Sequence, residues 1–391
     1  MRCCLLAWDY PPSPSGLSTA AREIAESLAA TGCDMTVVTL DRADVQQERG
    51  VRVIGAAMDK GAPLARLRLW GGIGHLAAPV AFRRAVRALH RERPVDIVEA
   101  TNWYAPAALL GRPGDAPLVS RISTPAAYSR TAAHGPREWL DNLAADRLEH
   151  RQIARSSGLI SNSAVHARGM ESHYGIGNGV PHAVIGLSLP PEFLAVAADA
   201  PFDTAGPARI LFVGRAEERK GFAELLAAVE RLAVEAETGS GPEFSVRLLG
   251  VSEADLPGGL SPAARARTEA LGRQPQERLM REYASAHIVA APSRYESFGL
   301  VYQEALAFGR VILASATDSS ARDFVADGGV LADETSVDAI TSALRPLIAS
   351  ADLRKHHRER ALKAAGRFTR QSLAQQTLDL YRAAIVRHQG R

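Results

Sequence analysis

The sequence predicts an α/β protein of two doubly wound, Rossmann-like parallel-sheet domains facing each other across a cleft. Three observations lead there. The chain has 391 residues, too many for one ordinary core. Short apolar runs of strand length alternate with segments carrying apolar residues at helical spacing, the pattern of strands linked by helices. The alternation lapses once, in SLPPEFLAVAADAPFDTAGP, and then resumes. The expected boundaries are an N-terminal Rossmann-like domain at 1–187, a linker at 188–207, a C-terminal Rossmann-like domain at 208–370, and a final helix at 371–391 that returns to the first domain.

Taken in order, Cys3 to Trp8 reads as a strand, followed by the loop DYPPSPSGLS and a helix with Leu17, Ala21, Ile24 and Leu28 on one face, ending at Gly32. Further strands are expected at Met35 to Leu40, Val51 to Ile54, Val95 to Ala100, Leu118 to Ile122, Leu159 to Ser161 and Ala183 to Ile185. The second series begins with Ile210 to Val213 and a helix from Phe222. It continues with strand Phe244 to Leu249, helix Gln276 to Ala284, strand His287 to Ala291, helix Gly299 to Phe308 and strand Val311 to Ala314, then helices after Thr335. Gln371 to Arg387 is amphipathic. Sheets of this kind bind ligands beyond the carboxyl ends of their strands.

Composition excludes several classes. Apolar content of 46% with 23% charged residues fits a globular protein, and a formal charge of +3 without basic runs does not call for nucleic acid. Cys3, Cys4 and Cys33 form no CxxC pair, and neither a secretory signal nor a spanning segment is read, so a reduced, cytoplasmic protein is expected.

Two stretches carry chemistry. In HIVAAPSRYESFGLVYQEALAFGRVILAS, from His287 to Ser315, a loop runs straight into a helix start. The N–H groups near Ser297, Phe298, Gly299 and Leu300 then lack intrahelical partners and form an anion site. Gly299 lets a ligand approach the main chain, and the carboxylates of Glu296 and Glu304 suit ligand hydroxyls. In LFVGRAEERKGF a strand meets Gly214, then Arg215 and Lys220, which would neutralise a diphosphate. A solvated turn with charged residues is the plain alternative.

Together, VGRxxxxKG and PSRYESFGLVYQEALAFGRVILAS resemble glycosyltransferase family 4, the retaining branch of the GT-B fold. DYPPSPSG and GRQPQERLMREYASAHIVAAPS extend the resemblance over most of the chain. It implies that Arg215 and Lys220 bind the donor diphosphate, that Glu296 contacts the donor sugar, and that Glu304 holds the ribose hydroxyls. Gly16 would approach the diphosphate or acceptor, and Gln274 matches a position where main chain meets the base. The implied catalytic set is Arg215, Lys220 and Glu296. The reaction would be independent of metal and of any cofactor, with a nucleotide sugar, a UDP-hexose, as co-substrate. One departure is plain: the family's R-L-H-T-P pattern is here Arg121, Ile122, Ser123, Thr124, Pro125, so a hydroxyl stands where an imidazole is usual. His134 is a possible substitute.

The acceptor is read from Asp9, Glu99 and Ser123. The two acids lie near the carboxyl ends of first-domain strands and would meet hydroxyl or amino groups. The expected reaction is hexosyl transfer to a hydroxyl of a small soluble polyhydroxy or amino compound, such as an aminocyclitol in antibiotic biosynthesis. A lipid-linked or surface-polysaccharide acceptor is the alternative, with peripheral membrane contact through the basic helix AFRRAVRALHRER. A non-transferring nucleotide-sugar binder or an epimerase on the same fold is a third reading. A nicotinamide-dependent oxidoreductase is disfavoured, because no GxGxxG follows either first strand.

Overall fold

The structure, a computed structural model, describes residues 1–13, 15–56, 72–130, 133, 135–325 and 328–390. His134 lies outside them. The chain divides into two compact units, one of Met1–Ser188 with Thr369–Arg391 and one of Leu189–Phe368.

The first unit is built on strands β1 (Arg2–Ala7), β2 (Asp34–Thr39), β3 (Val45–Glu48), β4 (Val51–Gly55), β5 (Ile97–Thr101), β6 (Leu118–Arg121), β7 (Gly158–Ser161) and β8 (His182–Val184). They form one sheet in the order β3-β4-β2-β1-β5-β6-β7-β8. The pairs are parallel except β3 with β4. The second unit has β9 (Ala208–Val213), β10 (Phe244–Leu249), β11 (Thr268–Gly272), β12 (Ile288–Ala291), β13 (Val311–Ser315) and β14 (Gly329–Ala332) in a wholly parallel sheet, β11-β10-β9-β12-β13-β14. Both faces of this sheet are covered. Ile210, Phe212, Ile288, Ala290, Val311 and Leu313 belong to one apolar cluster, and their chain neighbours Leu211, Val289, Ala291, Ile312 and Ala314 to another. Successive side chains point to opposite faces, which is why these strands read as unbroken apolar runs.

The strand orders locate the sites. In the second unit the chain steps outward from β9 to β10 and β11, then returns to the other side of β9 to lay down β12. The loops after β9 and β12 therefore diverge at a switch point, where doubly wound sheets receive ligands. In the first unit the equivalent loops follow β1 and β5.

One expectation changes. The segment 188–207 is not an unstructured linker: it holds a helix, Pro191–Ala198, and places Leu189, Phe193, Ala197 and Ala200 in a core of the second unit. Its prolines start that helix, where a missing N–H costs nothing. The final helix, Arg370–Gln389, belongs to the first unit. Its Tyr381 hydroxyl donates to Glu99 Oε2 at 2.7 Å, and a Cβ on Gly158 would lie 3.0 Å from Ala384 Cβ. At its start Arg370 forks onto Glu23, Nε to Oε2 at 2.9 Å and Nη2 to Oε1 at 2.5 Å, and also reaches Glu26 at 2.7 Å. Ser188 Oγ donates to the same Glu23 Oε2 at 2.8 Å.

Candidate active site

The loops after β9 and β12 are interlocked. Gly221, at φ +64°, has no room for a side chain: a Cβ would stand 2.3 Å from the Pro292 carbonyl oxygen and 2.7 Å from Thr335 Cγ2. Arg294 N–H donates to Arg219 O at 2.8 Å, and the Arg219 guanidinium returns a hydrogen bond to Tyr295 O at 2.8 Å. Between these clamps Lys220 Nζ meets Glu296 Oε1 at 2.5 Å, with Arg219 at 3.5 Å from Glu296 Oε2 and Ser293 Oγ donating to Oε1 at 2.8 Å. Only 14% of the Lys220 side chain and 13% of Glu296 remain exposed.

Burial alone would raise the Glu296 carboxyl, but Lys220, Arg219 and the hydrogen bonds from Lys220 and Ser293 outweigh it and hold it below the ordinary range. Glu296 is thus a carboxylate with two cations against it, and the excess positive charge invites an anion. Glu304 behaves oppositely. Burial pushes its carboxyl up to about 7, partly offset by the Tyr283 hydroxyl, which donates to Oε2 at 2.7 Å, and by Lys220. Asp318, after β13, is also pushed up to about 7, by burial and by the charge of Glu296. It accepts from Tyr302 Oη at 3.1 Å.

The helix Leu300–Ala307 starts directly behind this cluster, with Gly299 as its left-handed cap at φ +61° and no side chain capping it. A Cβ on Gly299 would press to 2.7 Å from the Phe324 ring. The start of the helix adds its N–H groups to the same anion-receptive place. The structure therefore brings together Gly214, whose added Cβ would lie 3.6 Å from Lys220 Cδ, with Lys220, Glu296, Ser297, Phe298, Gly299, Leu300 and Glu304. Arg215 is not drawn in. Its side chain is 77% exposed and pairs with Glu217 at 2.7 Å. Gln274 sits in the loop after β11, its side-chain amide donating to Leu271 O. Arg219, Ser293, Tyr283 and Asp318 were not marked by sequence reasoning. Of these only Arg219 carried a signal, as the neighbour of Lys220 in a short turn, Glu218–Lys220. Among the described residues no group of His, Cys, Asp and Glu could hold a metal ion.

In the first unit Asp9, after β1, accepts from Ser13 Oγ at 3.0 Å, while its Oδ1 is enclosed without a partner. Gly16 opens the helix Gly16–Ala29, capped by Ser15 Oγ accepting from Ser18 N–H. Ser123, after β6, is buried. Its N–H donates to Asn102 Oδ1 at 2.7 Å and its Oγ lies 2.9 Å from Thr101 Oγ1. Glu99 is not at the mouth of the sheet as expected. It is 1% exposed inside β5, its Oε1 accepting from Arg121 Nε at 2.7 Å and its Oε2 from Tyr381, so its acceptor sites are consumed by the fold. Among the described residues no helix is long and apolar enough to cross a membrane.

Comparison with known proteins agrees with this arrangement. Residues 201–364 match the family of glycosyl transferases group 1, and residues 15–187 match the glycosyl transferase 4-like domain. A D-inositol 3-phosphate glycosyltransferase of Nocardioides sp. is 30% identical over 336 residues, covering 78% of this chain and 71% of that one. The glycogen synthase of Mycobacterium tuberculosis is 27% identical over 412 residues, covering 98% and 95%. In fold, a sucrose-phosphate synthase from Thermosynechococcus elongatus superposes with a TM-score of 0.73 at 20% identity, over 98% of this chain and 99% of the other. The chain accordingly belongs to the GT-B glycosyltransferases, with a 4-like domain in its first unit and a group 1 domain in its second.

Proposed function

We propose that this enzyme moves a hexosyl group from a nucleotide diphosphate sugar, a UDP-hexose, to a hydroxyl of a small soluble polyhydroxy acceptor, with retention at the anomeric carbon and without a metal. The observation that carries this is the Lys220–Glu296–Arg219 cluster set against the start of the helix Leu300–Ala307. A diphosphate entering there meets Lys220, Arg219 and the helix N–H groups, and the exposed Arg215, exchanging Glu217 for the phosphate, closes on it from the solvent side. Glu304 accepts from the ribose hydroxyls, and main chain near Gln274 meets the base.

In the reaction the bond between the anomeric carbon and the diphosphate oxygen breaks, its electron pair leaving on that oxygen. The cations and N–H groups stabilise this developing charge. The acceptor oxygen bonds to the anomeric carbon from the same face and passes its proton to the departing diphosphate. Glu296 positions the sugar while remaining ionised.

The acceptor is of the cyclitol class. The name of the relative that acts on D-inositol 3-phosphate supports a phosphorylated ring polyol. Of the residues that suggested an amino group, as in an antibiotic aminocyclitol, Asp9 is the one still able to meet it, since Glu99 is spent on Arg121 and Tyr381.

A thermal-shift titration with UDP, GDP, ADP and TDP tests the donor site. UDP should stabilise wild type most, and Lys220→Ala and Glu304→Ala should each weaken the shift. If no nucleotide stabilises the protein at millimolar concentration, the donor assignment falls. Anomeric coupling constants of the product test retention.

A further inference from the structure

The loops after β5 and β6 are tied down by a carboxylate that no motif marks. Glu149 lies in the helix Pro136–Arg155 and is 1% exposed. Its Oε1 accepts from Tyr104 N–H at 2.8 Å and from Ala126 N–H at 3.2 Å, and its Oε2 accepts from Tyr174 Oη at 2.9 Å. Tyr174 Oη in turn accepts from Asn102 Nδ2 at 2.8 Å. Asn102 Oδ1 accepts from Ser123 N–H at 2.7 Å and from its hydroxyl at 3.1 Å. The chain Glu149–Tyr174–Asn102–Ser123 thereby links both loops to one buried carboxyl, which burial pushes up to about 7 against the hydrogen bonds from Tyr104, Tyr174 and Ala126.

The turn it holds is not relaxed. Tyr104 and Ala105 have φ of +51° and +48°, a region that side chains other than glycine avoid. Such backbone persists where the surroundings over-determine it, and it gathers at ligand sites. This turn lies at the switch point of the first sheet. It presents Trp103 and Tyr104, which are partly exposed and meet edge to face at 4.9 Å. Trp8, from the loop after β1, donates its indole N–H to Trp103 O at 2.9 Å.

We infer that Glu149 is a positioning residue for the acceptor: its carboxylate fixes the Trp103–Tyr104 turn and the Ser123 loop in the shape that receives a polyhydroxy ring. The inference rests on the reading that the first unit binds the acceptor. Three donors converge on two carboxylate oxygens, an arrangement that Gln cannot reproduce without turning an NH2 group toward a donor.

The test compares wild type, Glu149→Gln and the milder Tyr174→Phe, following UDP release from UDP-glucose with D-inositol 3-phosphate, glucose or glucose 6-phosphate as acceptor. Glu149→Gln is expected to lower kcat/KM for the acceptor at least tenfold, mainly through KM, and Tyr174→Phe to lower it several-fold. The UDP-induced thermal shift stays at the wild-type value in both. Unchanged acceptor KM, or a UDP shift lost in parallel, overturns the inference. If Glu149→Gln does not fold, Tyr174→Phe decides by the same criteria. If wild type uses none of these acceptors, it is the proposed function that fails. Amide hydrogen exchange then decides the positioning role: faster exchange confined to residues 102–105 and 123–126 in the variants supports it, and uniform or unchanged exchange overturns it.

Discussion

Replacing Glu304 with Gln should change the response of the protein to pH more than its fold. The carboxyl sits at about 7 because burial disfavours its charge, and Tyr283 and Lys220 offset only part of that. Its folded-state pKa therefore exceeds the unfolded one, and the folded chain keeps a proton that the unfolded chain gives up. Stability from this group is whole below the ordinary glutamate range, falls as pH rises from there through about 7, and stays lost above. At roughly 1.4 kcal/mol per pH unit the shift is worth at most about 3 kcal/mol, and partial solvation of Glu304 reduces the expectation to about 1–2 kcal/mol. Gln keeps an oxygen to accept from Tyr283 and never ionises. Glu304→Gln should thus match wild type near pH 5 and melt about 2–6 °C higher near pH 8, as read by scanning calorimetry. The nucleotide adds a second readout. Ribose hydroxyls favour the carboxylate, so UDP binding near pH 6 should release up to one proton more from wild type than from the variant, measured by titration calorimetry in buffers of different ionisation heat. Equal melting at pH 8, or a variant weaker by the same margin at both pH values, would refute the buried-proton reasoning.

The remaining predictions test the interlock and the cations. Gly221→Ala forces a Cβ into the Pro292 carbonyl at positive φ, so it should lose about 2–4 kcal/mol and the UDP shift with it; unchanged melting would show that the two loops are not locked there. Arg215→Ala should leave stability within about 0.5 kcal/mol, because the side chain is exposed, yet lower kcat/KM for the donor about tenfold or more through one lost charge-assisted contact. Unaltered turnover would leave Arg219 and Lys220 as the working cations. Excess EDTA should leave turnover unchanged, and a loss restored by magnesium would contradict the metal-independent reading.

How legible all this was in the sequence depended on burial. Strands such as Ile288–Ala291 and Val311–Ser315 are covered on both faces and so appear as unbroken apolar runs. Strand β3, Val45–Glu48, lies at an exposed edge, carries VQQE, and left no trace in the pattern. The helix Pro191–Ala198 was hidden by prolines that read as loop residues but in fact begin it. Lys220, Glu296 and Glu304 were legible because glycines and a loop-to-helix junction frame them. Arg219 was not, since only the turn Glu218–Lys220 decides which of three neighbouring charges faces Glu296. Glu99 misled because strand β5 runs on to Thr101, which leaves the acid inside the sheet with Arg121 and Tyr381. Glu149 was invisible because its partners are backbone N–H groups far away in the chain, and no local spacing encodes them.

The carboxylate of Glu23 holds Ser188 and Arg370 at the same oxygen, 2.8 and 2.9 Å away. These are the last residue before the second unit and the second residue after it. In topological terms the second unit is a single excursion, leaving and re-entering its host at one clasped point. A linker of a few residues from Ser188 to Thr369 spans that point and keeps every strand of the first sheet together with its closing helix. The same clasp gives an exchange point at which one group 1 domain can be replaced by another, joining the 4-like unit of this chain to a different second unit.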